Sequence, residues 1–173
     1  MSSTSNESKL AQGGETDHGI QLPQERAQLV QHVMDLFSSR PSLESLKKWW
    51  SPNAVFEDPI AIAKGFDQIA HQWFGMPKAF PESKTLAWKV TKNEESVIEY
   101  EQRQLYTIAG IKTTKEMASL VHIEVGPDNK ITRLEDRWNG NPLPVNAIAK
   151  KLREFNASYF VPAIVSVPKE DPK

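Results

Sequence analysis

The chain has 173 residues, enough for one domain and too few for two substantial cores. Lys and Arg number 21 against 22 Asp and Glu, a formal charge of −1 with no long run of one sign, which argues against a nucleic-acid partner held by phosphate attraction. Hydrophobic residues make up 39% and charged residues 25%, a composition that builds a packed core; the absence of Cys excludes disulfides, thiolate metal sites and a thiol nucleophile, leaving chemistry to His, Asp, Glu, Ser and Tyr.

Residues 1–22 are polar, with isolated apolar residues and no hydrophobic period, and read as a disordered tail. The opening Met1-Ser-Ser-Thr-Ser-Asn-Glu has neither the basic start nor the apolar stretch of a secretory signal, and no later stretch is long enough to span a bilayer. The expected location is therefore cytoplasmic, without a membrane partner, and the Asn-x-Ser sequons at Asn6 and Asn156 read as chance matches. From Pro23 to Ser39, Leu29, Val30, Val33, Leu36 and Phe37 recur at three- and four-residue steps, which predicts an amphipathic helix with Pro23 as an early helical residue. Leu43, Leu46, Trp49 and Trp50 predict a short second helix, bounded by Arg40-Pro41-Ser42 and Ser51-Pro52, so that the two form a helical hairpin. Ala54–Asp58 is a short extended piece closed by Pro59, and Gly65 opens a third helix that Gly75-Met-Pro77 ends.

Beyond Pro81 the period changes to two, with strands expected at Thr85–Lys92, Val97–Thr107, Thr114–Val125 and Lys130–Trp138, separated by Asn93-Glu-Glu, Ala109-Gly110 and Gly126-Pro-Asp-Asn129. Helices followed by an antiparallel meander define an α+β order, with the helices packed on one face of a curled sheet. After Asn139-Gly-Asn-Pro a last helix places Val145, Ile148, Ala149, Leu152 and Phe155 on one stripe, with Lys150, Lys151 and Arg153 beside it as a solvated face. The chain thus divides into the tail 1–22, a domain over 23–160 and an apolar extended tail over 161–173, whose Val161–Val167 stretch needs a groove of its own chain or of a partner.

No Gly-rich phosphate loop, His-Glu-x-x-His, Gly-x-Ser-x-Gly or EF-hand loop is present, and the four His are too scattered to suggest a metal, so neither metal nor cofactor is expected. What remains is Val55-Phe-Glu-Asp-Pro59. A carboxylate held between Phe56 and a rigid Pro, ahead of an aromatic helix, is suited to general-base work because apolar walls raise its pKa. The simpler reading is an Asp that bounds a turn.

Three segments, Trp49-Trp-Ser-Pro-Asn-Ala-Val-Phe-Glu-Asp-Pro59, Lys64-Gly-Phe-Asp-Gln-Ile69 and Arg133-Leu-Glu-Asp-Arg-Trp138, together with the element order, resemble the nuclear transport factor 2-like (NTF2-like) superfamily over about Glu25 to Trp138. That superfamily contains SnoaL-like polyketide cyclases, scytalone dehydratases and ketosteroid isomerases, and the resemblance implies a cone-shaped α+β fold. It also implies that Asp58 stands where the ketosteroid isomerases carry their base. Their two oxyanion donors fall on Met34 and Val121, neither of which has a side-chain donor, which argues against steroid isomerisation.

Similarity to SnoaL-like cyclases makes Asp136 the second acid, opposed by the reading that it pairs with a surface Arg. Period two puts Thr132, Leu134, Asp136 and Trp138 on one face, so that Asp136 and Asp58 lie across one cavity if that face looks inward. Met34, Phe56, Trp73, Val121 and Trp138 are the expected pocket lining for a small hydrophobic molecule; equally, the five Trp can fill the core. His122 is expected to be structural or outward, and Glu99, Glu101 and Arg103 to form a solvated or subunit-facing row. Two functions follow: a cofactor-independent lyase, isomerase or cyclase with Asp58 as base, or a non-catalytic ligand-binding or protein-interaction domain. Sheets of this kind pair on their outer face, so a homodimer is expected.

Overall fold

The computed structural model describes residues 17–171. The expectation of disorder over 1–16 lies outside the described residues. Helices α1 (Gln24–Phe37) and α2 (Leu43–Trp49) form the hairpin, followed by strands β1 (Trp50–Glu57) and β2 (Ile62–Lys64), helix α3 (Phe66–Ala79), strands β3 (Glu82–Asn93), β4 (Val97–Thr107), β5 (Thr114–Val125) and β6 (Ile131–Trp138), and helix α4 (Ala147–Phe155). Pro23 is the N-cap of α1 rather than a helical residue. Helix α3 runs past Gly75 and Pro77 to Ala79, its start marked by Gly65 at φ 79°, a backbone angle that favours glycine.

The architecture is α+β: a curled six-stranded sheet in the order β2-β1-β6-β5-β4-β3 with helices on its inner face. The sheet is mixed, because β1 pairs parallel with β6 while every other pairing is antiparallel. Alternation along β4 and β5 sorts side chains into two faces. Inward lie the rungs Ile98–Ile123–Leu134, Tyr100–Val121–Asp136 and Gln102–Ser119–Trp138, so the inner face passes from apolar to polar along the strands. Trp73 of α3 fills the apolar end, 5.2 Å edge-on from Phe37 and 4.8 Å from Phe56 between ring centres. Trp50 is buried beside it and donates its indole N–H to Nε2 of His32 at 3.0 Å; burial pushes the His32 pKa down to about 4, keeping that acceptor neutral.

Three expectations need correction. Residues 17–22 are not a free tail: Gly19 bridges Val90 of β3, Ile20 N–H donates to the Val90 carbonyl at 3.0 Å, and His18 stacks on Trp88 at 4.2 Å, so this strap covers part of the edge strand. On β6, Thr132 is exposed and Ile131 buried, because a register shift between Glu124 and Val125 turns the start of the strand by one residue. The C-terminal stretch begins not extended but helical: a π-helical turn (Asn156–Phe160) joins α4 to α5 (Val161–Ile164), Pro162 sitting in the first turn where its missing N–H costs nothing. Only then does the chain extend, with Val165 buried against Gly75 and Asp171 accepting from the N–H groups of Leu43 (2.5 Å) and Glu44 (2.9 Å) at the start of α2. The groove is one of its own chain.

A Cβ at Gly19 would lie 2.2 Å from the Val90 carbonyl oxygen, and its φ of 74° is itself strained for other residues. Gly19→Ala should therefore release the strap, costing about 1–2 kcal/mol in urea unfolding and shifting Trp88 fluorescence to the red as His18 leaves its ring.

Candidate functional site

The parallel pairing sets Phe56 opposite Leu134 and Glu57 opposite Glu135. Asp58 follows Glu57 and Asp136 follows Glu135, and the Asp58 charge acts on Asp136. Asp58 leaves β1 in a tight turn in which its Oδ1 accepts from the N–H groups of Ile60 (2.8 Å) and Ala61 (2.6 Å), and its own N–H donates to the Ala61 carbonyl. The turn-bounding role is real and coexists with a perturbed acid: burial raises the Asp58 pKa to about 6 even though those two N–H groups and Arg153 oppose the shift.

Asp136 is buried in the inner face and does not pair with a surface Arg. Its Oδ2 accepts from the Trp138 indole at 2.9 Å, while Oδ1 has no hydrogen-bond partner among the described residues. Burial first, and the nearby Asp58 charge second, raise its pKa to about 7, with Ser119 and Trp138 pulling the other way. On the far side of Val121 stands Tyr100, fully buried, whose hydroxyl is likewise without a partner among the described residues and whose pKa burial raises well above the usual phenol value. Two strand spacings, about 10 Å, separate the Tyr100 and Asp136 backbones, and the Asp136 charge adds to the rise of the Tyr100 pKa. Gln102 Oε1, on the neighbouring rung, is a further buried polar atom lacking a partner among the described residues. Such atoms are expensive to leave dry, which marks the polar end of the inner face as a place for water or a ligand's polar groups.

The outer side of the same strand ends is an ion lattice. Glu57 accepts from Arg133 and, at 3.0 Å, from Arg153; Glu135 accepts from Arg133 at 2.9 Å and Arg137 at 2.6 Å. Arg153 is the correction to the expected solvated helix face: it is 4% exposed, and its Nε donates to the Asp58 carbonyl at 2.8 Å and Nη1 to that of Pro144 at 3.0 Å. It thereby ties α4 to the Asp58 turn.

Of the expected lining, Phe56, Trp73 and Val121 are core side chains of the inner face, and Trp138 reaches Asp136. Met34 lies elsewhere, lining a cavity of about 350 Å³ under the strap with Ile20, Val30 and Trp88. His122 faces outward, 2.6 Å from Glu99, and Arg103 pairs with Glu116 at 3.0 Å in the same outer row. Among the described residues no group of three His, Asp or Glu is arranged to hold a metal, and no helix is long and apolar enough to cross a membrane. The alternation Ile98, Tyr100, Gln102, Gln104 along β4 is the sequence signal for Tyr100 and Gln102 on the inner face, opposite the charged Glu99, Glu101 and Arg103. Nothing in the sequence signalled Arg153.

No family model and no curated protein matches the sequence. Solved structures do match the fold. An NTF2-like protein from Anabaena variabilis is similar at 14% identity with a TM-score of 0.56, over 74% of this chain and 100% of that one. A SnoaL-like family protein from Agrobacterium tumefaciens is similar at 11% identity and TM-score 0.53, over 67% and 98%. A candidate polyketide cyclase from Sinorhizobium meliloti is similar at 20% identity and TM-score 0.52, over 67% and 95%. The chain has the NTF2-like fold that the SnoaL-like and ketosteroid isomerase-like proteins share.

Arg153→Met keeps most of the packing and removes the charge. It should destabilise the fold by about 3 kcal/mol in urea unfolding, by leaving Glu57 short of a buried partner, and should raise the Asp58 pKa above about 6 in a carboxyl NMR titration.

Proposed function

We propose that the polar end of the inner face binds a small, largely apolar carbonyl compound and moves a proton beside its carbonyl without a cofactor, the chemistry of an isomerase, lyase or cyclase. The observation that carries this reading is a buried acid, Asp136, whose Oδ1 lacks a partner among the described residues and which feels the charge of a second acid, Asp58, whose own Oδ1 accepts two backbone N–H groups; burial raises both pKa values, to about 7 and about 6. Those N–H groups and Arg153 favour the ionised form of Asp58, and Asp136 is the acid that holds the proton. Asp58 acts as the base, and Asp136 and the Tyr100 hydroxyl donate hydrogen bonds to the carbonyl oxygen as it gains charge. These two flank Val121, the position where the family resemblance places a donor this chain lacks. The donors missing at Met34 and Val121 are thus supplied from the two adjoining strands. The candidate polyketide cyclase among the structural neighbours supports the same substrate class, a polyketide-like carbonyl compound.

The test begins by capturing ligands from a metabolite extract and identifying them by native mass spectrometry. A captured carbonyl compound is then incubated with the protein in D₂O, and exchange at the carbon beside the carbonyl is followed by NMR. Asp58→Asn keeps the Oδ1 acceptor of the turn and removes the base, so exchange should slow about 10²–10⁴-fold with the fold intact. The wild-type rate should follow a bell with limbs near 6 and 7, rising as Asp58 ionises and falling as Asp136 does. No exchange with the wild type, or equal exchange with Asp58→Asn, contradicts the reading.

A second reading, a ligand-binding or interaction domain without chemistry, is favoured by one observation: Phe56, Trp73 and Val121 are packed into the core. It predicts ligand or partner binding indifferent to Asp58→Asn.

A further inference from the structure

Helix α4 is amphipathic, yet it is docked the wrong way round for a helix serving its own core. It turns Arg153 into the domain and leaves Ile148, Leu152 and Phe155, together with Val145 just before it and Tyr159 in the π-helical turn after it, between 58% and 93% exposed. The attachments behind it are polar: the three bonds of Arg153, the Lys64–Glu154 pair at 2.7 Å, and the Asn156 amide on the Ile60 carbonyl at 3.0 Å. Contiguous apolar surface of this kind marks an interaction site.

We infer that a second copy of this chain covers this face through its own α4. Four observations select that occupant. The stripe advances by three, four, three and four residues, the spacing that seats one helix on another, and Phe155 and Tyr159 are held in place by stacking at 5.5 Å. From side-chain sizes the five residues expose on the order of 600 Å² per copy, so a symmetric pair covers about 1,200 Å², the lower bound of a stable interface. The residues outside those described offer little apolar surface as an occupant: residues 1–16 are polar in composition with Leu10 as the one large aliphatic residue, and 172–173 are Pro-Lys. The outer sheet face, expected to carry the dimer, bears Glu57, Arg133, Glu135, Arg137, Glu99 and His122 in ionic or hydrogen-bonded pairs, whereas charge is depleted at interface centres.

An antiparallel two-fold pairing that sets Leu152 against Phe155, and Ile148 against Tyr159, uses the whole stripe and places Lys151 beside Ser158 of the second copy rather than beside its own counterpart. A groove of about 400 Å³ between Gln68 and Tyr159 lies next to that contact and accommodates the incoming Ile148. Because α4 also carries Arg153, the pairing would brace the Asp58 turn from behind, although the inference does not rest on the acid–base reading.

The test is the solution mass of the full chain by light scattering at about 100 μM, where an interface of this size is occupied. The wild type is expected at twice the chain mass. Leu152→Lys and, separately, Ile148→Lys should each halve it with an unchanged circular dichroism spectrum, since both residues are exposed in the single chain. In this Cys-free chain, Lys151→Cys combined with Ser158→Cys should give a covalent dimer on oxidation, the two being too far apart along one helix to join within a copy. A wild-type monomer, a dimer that survives both lysine variants, or a monomer that binds phosphatidylcholine–phosphatidylserine vesicles in a Leu152-dependent way would each overturn the inference.

Discussion

The site hangs on the short parallel pairing of β1 with β6. Antiparallel hairpins account for the rest of the sheet, but only this pairing, made between segments some 80 residues apart, brings the strand end that precedes Asp58 beside the strand that carries Asp136. Parallel strands cannot be joined by a tight turn, so no hairpin fixes their alignment, and side chains on both faces add to the backbone ladder. Here the inward side is held by Phe56 against Leu134 and Trp73, and the outward side by the Glu57–Arg133–Glu135–Arg137 lattice. Arg153 extends the lattice to α4 and to the Asp58 carbonyl.

That alignment has a cost that the fold carries at neutral pH. Two carboxylic acids brought into a poorly solvated corner cannot both ionise cheaply, and the raised pKa values express this. A carboxyl group whose folded pKa lies above its unfolded value stabilises the fold below the unfolded value, near 3.8, and that contribution is lost as pH rises through about 6 and 7. The unpaired oxygen of Asp136, the Tyr100 hydroxyl and Gln102 Oε1 point the same way, because each is a buried group whose partner the protein itself does not provide.

Much of this was legible in the chain. The spans of β4 and β5 follow from period-two alternation and from Gly and Asn turns, and Asp58 stood out because a carboxylate between Phe56 and a rigid Pro, ahead of an aromatic helix, suits general-base work as well as the bounding of a turn. What was not legible is tertiary. The inverted docking of α4 depends on Glu57 and the Asp58 carbonyl waiting for Arg153, and a helical period alone does not say which face turns inward. The register shift before β6 moved Ile131 inward against simple alternation. The apolar stretch from Val161, expected to be extended, starts as a helix because the π-helical turn before it sets Pro162 in a first turn.

The central claim is that Asp58 and Asp136 form one interacting acid pair. It is tested most directly by titrating the side-chain carboxyl carbons by NMR in the wild type and in Asp58→Asn. The account predicts that Asp136 titrates near 7 in the wild type and at lower pH in Asp58→Asn, since the Asp58 charge is one of the two causes of its shift. An Asp136 that titrates in the ordinary carboxylate range, or that is unmoved by Asp58→Asn, would contradict it.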